Sequence, residues 1–325
     1  ISKVNMVREG VYTVKADAGI DILYNPSPQL KMLLTANPDF AQIEADPFNF
    51  NISRYESFYS ERRPFFTEGS EIFSASGSQR NSGFYRPLEL FYSRRIGKIL
   101  PDGSEVPLIA GMKAFGRIDD WEYGGFLAMT GEKDYTWNGN ERTEDKAYFG
   151  SARLKKQILG NSTIGLLFVG KQTKENTYGV IDIDGAFRQP EWQLSYQLAR
   201  SIKNNEGDYA ASFGLNFNSS NWLLLARGRY IGENFDVQQV GYVPWKGTAN
   251  LVLLNGPVWY FDNGTIRNML LYFGGAVEYE KVDNFTDHVG LVGLNMQFRN
   301  NWGYEINFQY GKSKDFDVTF DSYQT

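Results

Sequence analysis

The sequence predicts an all-β protein: an antiparallel up-and-down transmembrane β-barrel of about sixteen strands, with a plug-like insert folded into its lumen. Three observations lead there. Tight polar turns open onto tryptophan at Asp119-Asp120-Trp121, Pro190-Glu191-Trp192, Ser220-Asn221-Trp222 and Asn300-Asn301-Trp302. Runs of alternating apolar and polar residues accompany them; in the clearest, Trp302, Tyr304, Ile306, Phe308 and Tyr310 share one face and Gly303, Glu305, Asn307, Gln309 and Gly311 the other. A side-chain period of two puts the first set against lipid and the second toward water. Finally, short and long connections take turns along the chain, as inner turns and outer loops do in a membrane barrel.

Composition narrows the alternatives. The chain has 325 residues, of which 42% are hydrophobic and 16% aromatic, enough for one large all-β domain spanning 1–325. No run approaches the roughly eighteen unbroken apolar residues of a spanning helix, and the mean hydropathy of -0.42 is low because every second barrel residue faces water. Zero cysteines exclude disulfides, thiolate metal sites and cysteine nucleophiles. A net charge of -5 and a pI near 5.2 argue against nucleic acid as a partner. The start, Ile1-Ser2-Lys3-Val4, carries no signal-peptide pattern, so an exported barrel is expected to have lost its leader upstream.

Taken in order, the elements follow the alternation. Short turns fall near Asn25-Pro28, Asp119-Asp120, Gly160-Ser162, Gln189-Glu191, Ser219-Asn221, Asp262-Thr265 and Asn300-Asn301, and longer connections near 131–145, 172–176, 201–207, 232–246 and 281–286. Between them, Trp192, Leu194, Tyr196 and Leu198 oppose Gln193, Ser195 and Gln197; Tyr209, Ala211, Phe213, Leu215 and Phe217 oppose Asp208, Ser212, Asn216 and Asn218. Met269, Leu271, Phe273, Val277 and Tyr279 oppose Glu278 and Glu280. Two runs are less regular: Ile181, Ile183 and Phe187 face away from Asp182 and Asp184, and the polar face of 223–229 mixes leucine with arginine. Earlier in the chain, strands are expected at about 29–38, 86–97 and 106–118. Parity between the two inner turns then requires one more crossing, assigned to 44–53, where Phe48, Phe50 and Ile52 alternate with Asn49, Asn51 and Ser53. Residues 55–84 remain as the insert.

The insert and its neighbours also carry a resemblance. Asn37-Pro38-Asp39-Phe40, Gln42-Ile43-Glu44-Ala45-Asp46, Asn51, Arg54, Glu56, Phe58, Glu61-Arg62-Arg63-Pro64-Phe65-Phe66-Thr67-Glu68-Gly69 and Phe91-Tyr92-Ser93-Arg94-Arg95-Ile96-Gly97 together resemble an uncharacterised family of bacterial outer-membrane β-barrels. The likeness is specific over 14 to about 130 and generic afterwards. Members occur widely in Gram-negative bacteria, especially Bacteroidota, usually behind an upstream domain similar to family-nine carbohydrate-binding modules. Some are loosely labelled hydrolases. The resemblance implies the outer membrane as location; the upstream module is not in this sequence, and further C-terminal strands are expected beyond it.

Charge is concentrated in the same region. Asp39, Glu44, Asp46, Arg54, Glu56, Glu61, Arg62, Arg63, Glu68, Arg94 and Arg95 are expected to form a lumenal network holding the plug, since arginine's planar fork pairs carboxylates bidentately. Asp39, Glu44 and Asp46 lack the regular spacing of a calcium loop, and no metal or cofactor is assigned. A glycosidase would instead use two of these carboxylates across a sugar, a separation that sequence spacing does not reveal. With His288 the only histidine, a catalytic triad or histidine-based zinc site has almost nothing to draw on. Tyr242 and Trp245 in a long connection are candidate surface contacts for a ligand such as a glycan, while Trp121, Trp192, Trp222 and Trp302 are expected to form an aromatic girdle.

The reading that follows is a non-enzymatic outer-membrane barrel in transport, envelope assembly or surface binding, with membrane lipid and other envelope proteins as partners. The alternatives are a membrane-embedded glycan hydrolase using carboxylates of the insert, and a soluble all-β carbohydrate-binding protein.

Overall fold

The computed structural model describes residues 2–6, 12–16, 19–38, 55–77, 84–282, 284–315 and 318–324. Strands β1 (Ser2–Met6) and β2 (Tyr12–Ala16) pair with each other apart from the rest. Among the described residues, a single antiparallel sheet then takes fifteen of the other seventeen strands. It comprises β3 (Ile20–Ser27), β4 (Leu30–Ala36), β5 (Leu108–Ile118), β6 (Trp121–Thr130), β9 (Ala147–Ile158), β10 (Ser162–Gln172), β11 (Thr177–Arg188) and β12 (Trp192–Lys203). It continues through β13 (Tyr209–Asn218), β14 (Trp222–Ile231), β15 (Thr248–Tyr260), β16 (Ile266–Glu280), β17 (Phe285–Phe298), β18 (Gly303–Asp315) and β19 (Val318–Gln324). Neighbours in sequence are neighbours in the sheet, except that β7 (Lys133–Trp137) and β8 (Asn140–Glu144) form a separate hairpin between β6 and β9.

The sheet forms because the alternation leaves a polar or small residue and a large apolar one at every second position, and the turns close it residue by residue. Left-handed backbone at Asp119, Leu159, Gly160, Gly264 and Asn301 makes the short connections; these types take positive φ at low cost, leucine excepted. Asn138 and Gly139, both at positive φ, close the β7–β8 hairpin as an Asn-Gly pair does in a two-residue loop. The turns after β3, β5, β9, β11, β13, β15 and β17 lie at one end of the sheet, the short-turn end, and the connection from β4 to β5, the β7–β8 hairpin and 232–247 lie at the other, the long-loop end.

Two faces result. On one, Leu166, Phe168, Ile181, Ile183, Leu198, Leu251, Phe273 and Ile306 stand exposed. On the other, Phe115, Phe126, Phe149, Leu167, Val169 and Val180 are buried against Phe65, Phe66, Ile72, Phe73, Leu88, Leu90 and Ile96 of the connection that precedes β5, so that the insert reaches beyond 55–84 to include 85–107. The long connection 232–247 closes over the same core with Phe235, Val237, Val240 and Val243. Burying one side chain of this size is worth about 1.5–3 kcal/mol, so the insert is held as a packed core and not as a tether.

One sequence expectation is corrected. β4 pairs directly with β5, from Leu30↔Gly116 to Ala36↔Ala110, so no strand stands between them in the sheet. Residues 86–97 are not a strand; they run as irregular chain with a 3-10 turn at Ser93–Arg95. The whole connection from β4 to β5 therefore leaves and returns at the long-loop end, and parity needs no extra crossing. The strand expected at 44–53 lies outside the described residues. Among the described residues the large sheet has fifteen strands, beside the expectation of about sixteen for the chain.

Candidate functional site

The insert is tied to the sheet through its backbone. Its two helices, α1 (Pro64–Thr67) and α2 (Ser70–Phe73), are four residues each. Helices this short leave most of their carbonyls without an internal partner. Cationic side chains rising from the sheet take them: Lys113 Nζ donates to Phe66 O at 3.3 Å and Glu68 O at 2.6 Å, Lys155 Nζ to Glu71 O at 3.2 Å. Arg153 donates to Ile72 O at 3.2 Å and Ser74 O at 3.1 Å. Asp184 accepts Ser76 N–H at 2.6 Å, and Gln197 accepts Leu88 N–H at 2.6 Å while donating to Leu88 O at 3.4 Å. Further along, Arg227 Nη1 donates to Phe84 O at 2.9 Å. Bonds of this charged kind contribute about 1.5–3 kcal/mol each, and buried polar backbone without them would be costly.

Arg153 and Asp184 anchor this row. Both side chains are fully buried, and the guanidinium meets the carboxylate bidentately, Nη2 to Oδ1 at 2.9 Å and Nη1 to Oδ2. Close approach is helped at Gly214, where an added Cβ would stand 2.6 Å from the Tyr85 side chain of the insert. Tyr85 OH lies 3.2 Å from Ser212 Oγ beside it.

A second set of contacts folds the insert onto itself. Glu61 accepts Arg63 Nε at 2.9 Å and Nη2 at 2.7 Å, Ser93 Oγ at 2.6 Å, and the backbone N–H groups of Arg62 and Arg63. Arg63 also donates to Ile96 O at 2.6 Å and Ser93 O at 2.9 Å, and its guanidinium lies 4.4 Å from the Phe66 ring. Burial pushes the Glu61 carboxyl up, but these donors outweigh it and hold the group at about 2. Arg95 forks onto Glu56 at 2.9 and 2.7 Å and donates to Gly241 O at 3.1 Å.

The long connection 232–247 locks the far side. Tyr242 N–H donates to Glu89 O at 2.7 Å and Tyr92 N–H to Val240 O at 2.9 Å. The rings of Phe58, Tyr92, Tyr242 and Trp245 meet with centroids 5.0 to 6.1 Å apart. The β7–β8 hairpin joins in through Glu144, which pairs with Lys98 at 2.9 Å and Lys171 at 3.3 Å.

The structure thus brings together part of the charge set read from the sequence. Glu56 meets Arg95 and Glu61 meets Arg63. Glu68 pairs instead with Lys31 of β4 at 2.8 Å, between half-exposed side chains. Arg94 Nε donates to Ser60 O at 2.9 Å, and Arg62 sits at the exposed edge of the Glu61 cradle. Asp39, Glu44, Asp46 and Arg54 lie outside the described residues. Tyr242 is buried in the ring cluster, with Trp245 half-buried beside it, so the pair faces the insert. Trp121, Trp192, Trp222 and Trp302 all stand exposed at the short-turn end. There Arg188, Trp192, Gln193, Asn216 and Asn218 line an open polar depression of about 600 Å³. His288 is exposed on β17, and among the described residues no three of His, Cys, Asp and Glu gather at one place.

Lys113, Arg153, Lys155, Lys171 and Gln197 went unsingled in the sequence. Their signal was a charge or amide at the inward position of an apolar-alternating strand, as Asp182 and Asp184 show in alternation with Ile181 and Ile183.

Residues 1–109, which include β1 to β4 and the insert up to the start of β5, match a family described as a domain of unknown function, DUF5916. No curated protein and no solved structure matches the chain.

Proposed function

We propose that this chain is a non-enzymatic β-barrel of a Gram-negative outer membrane, its sheet closed around the insert, serving in transport, envelope assembly or surface binding. One observation carries the reading: the sheet exposes large apolar side chains over strand after strand on one face, while the opposite face buries Lys113, Arg153, Lys155, Lys171, Asp182 and Asp184. A soluble monomer rarely leaves so extended an apolar surface bare, and lipid is the solvent that suits it. The exposed tryptophans at the short-turn end suit a membrane interface. The resemblance of residues 14 to about 130 to an outer-membrane barrel family points the same way.

Within that class, the packed insert favours a gated or partner-regulated barrel over an open pore. Against β5 to β14 the interior is occupied by core side chains and wall-to-backbone bonds, so passage there requires the insert to move. The hydrolase alternative gains nothing from Glu56 and Glu61, whose oxygens are engaged by Arg95, Arg63 and Ser93. Fractionation with planar-bilayer recording tests the proposal: the protein is expected with the outer membrane and at low conductance. Recovery as a soluble monomer would overturn the location, and a wide, always-open conductance would overturn the gated role.

A further inference from the structure

We infer that Arg86, Arg227 and Arg229 form a binding site for a small soluble oxyanion of the phosphate, sulfate or carboxylate class. Arg227 and Arg229 are two apart on β14 and share the insert-bearing face; Asn250 on β15 stands opposite Arg229, and Glu278 on β16 stands opposite Asn250. Arg86 enters from the insert. Together these side chains line a cavity of about 150 Å³. That space exceeds the need of a single water and admits one small oxyanion.

Charge balance sets this cluster apart from the arginines that fork onto carboxylates. Arg63, Arg95 and Arg153 each meet a carboxylate through two guanidinium nitrogens. Here three guanidinium groups face a single carboxylate, Glu278, which is near enough to act on Arg227 and Arg229 electrostatically yet forms no ion pair with either. Arg86 and Arg227 also bear on Arg229 as like charges. The donors are held in place: Arg229 lies 4.5 Å from the Trp245 ring, Arg227 is fixed by Phe84 O and lies 5.1 Å from the Phe84 ring. Arg229 Nε is buried without a hydrogen-bond partner. Preset, planar donors with unused N–H groups and mutual repulsion are what an oxyanion neutralises, because it accepts several charge-assisted bonds at once.

The site does not depend on the membrane assignment, and its test is direct binding to the full chain, folded in detergent. Titration calorimetry with inorganic phosphate, sulfate and acetate at constant ionic strength, with chloride as reference, is expected to give saturable binding for at least one of the three. Arg227→Gln and Arg229→Gln are each expected to weaken it by about tenfold or more, the scale of one lost charge-assisted bond. Glu278→Gln removes the opposing carboxylate and is expected to tighten binding several-fold, a gain that a misfolded variant does not produce. A phosphatidylglycerol micelle should not compete. No saturable binding in the unmodified chain, undiminished binding in both arginine variants, or no gain in Glu278→Gln would each overturn the site. Competition by the micelle without binding of any free anion would overturn its assignment to a soluble ligand.

Discussion

Arg153 reaches Asp184 across an intervening strand. Arg153 sits on β9 opposite Leu167 of β10, and Asp184 sits on β11 opposite Gly165 of that same β10. The guanidinium passes over Gly165, where a Cβ would stand 3.0 Å from both Nη atoms. The absent side chain at Gly165 is therefore part of the ion pair, which in turn sets Arg153 to donate to the Ile72 and Ser74 carbonyls and Asp184 to accept the Ser76 N–H of the insert.

Removing one partner strands the other in a dry site. Arg153→Met or Asp184→Leu alone should lower stability by about 3–5 kcal/mol, and the double replacement by less than either single one, since no charge is then left unpaired. Gly165→Leu should resemble Arg153→Met. Thermal unfolding of the four variants in detergent checks this, and a double variant at least as damaged as either single one would contradict it.

The wall cations make a separate claim about local stability. Lys113→Met leaves the Phe66 and Glu68 carbonyls without their donor, and should loosen 64–76 by about 1.5–3 kcal/mol with little change in the rest of the sheet. Amide exchange resolved by segment reads it. Uniform loss of protection across the strands would argue against a clamp that acts on the insert.

Much of the sheet was legible because a period of two, once one face is apolar, leaves little freedom of register. Trp302 to Gly311 fixed β18, and the polar turns before Trp121, Trp192 and Trp222 fixed three hairpins. The insert was less legible. Its pairing partners lie far away in sequence, as with Gln197 and Leu88 or Arg153 and Ser74, and no local pattern announces a side chain whose bond is to a distant carbonyl. The aromatic and charged run at 86–97 resembled a strand because strands and extended, side-chain-anchored chain share the same residue types.

Glu61 gives the insert a defined acid limit. Its carboxyl is held at about 2 in the folded state, below its ordinary value. A depressed carboxyl contributes stability that is fully present above the unfolded value near 4.5 and is lost as pH falls through the folded one near 2. The contribution is on the order of 3 kcal/mol at most. Glu61→Gln should therefore flatten the stability of the insert between pH 4.5 and 2 relative to the unmodified chain, while lowering it at neutral pH. Proteolysis of the insert with an acid-active protease measures the first arm and with trypsin at neutral pH the second, and identical acid profiles would remove Glu61 from the account.

The bare face supplies the sharpest contrast between solvents. Leu198 on β12 is 58% exposed, while Gln197 beside it is buried on the insert-bearing face. In water, replacing so exposed a leucine by arginine falls within about 0.5 kcal/mol of neutral. In the middle of a bilayer the same change costs about 2–4 kcal/mol, falling toward the interfaces. Leu198→Arg and Phe273→Arg should therefore reduce recovery of heat-resistant protein in the outer-membrane fraction, whereas Asn307→Arg, on the opposite face of β18, should not. Refolding yields into lipid vesicles and into lipid-free detergent separate the two solvents. Equal yields for Leu198→Arg and the unmodified chain in vesicles would mean that this face does not meet lipid, and the proposed outer-membrane barrel would have to be abandoned.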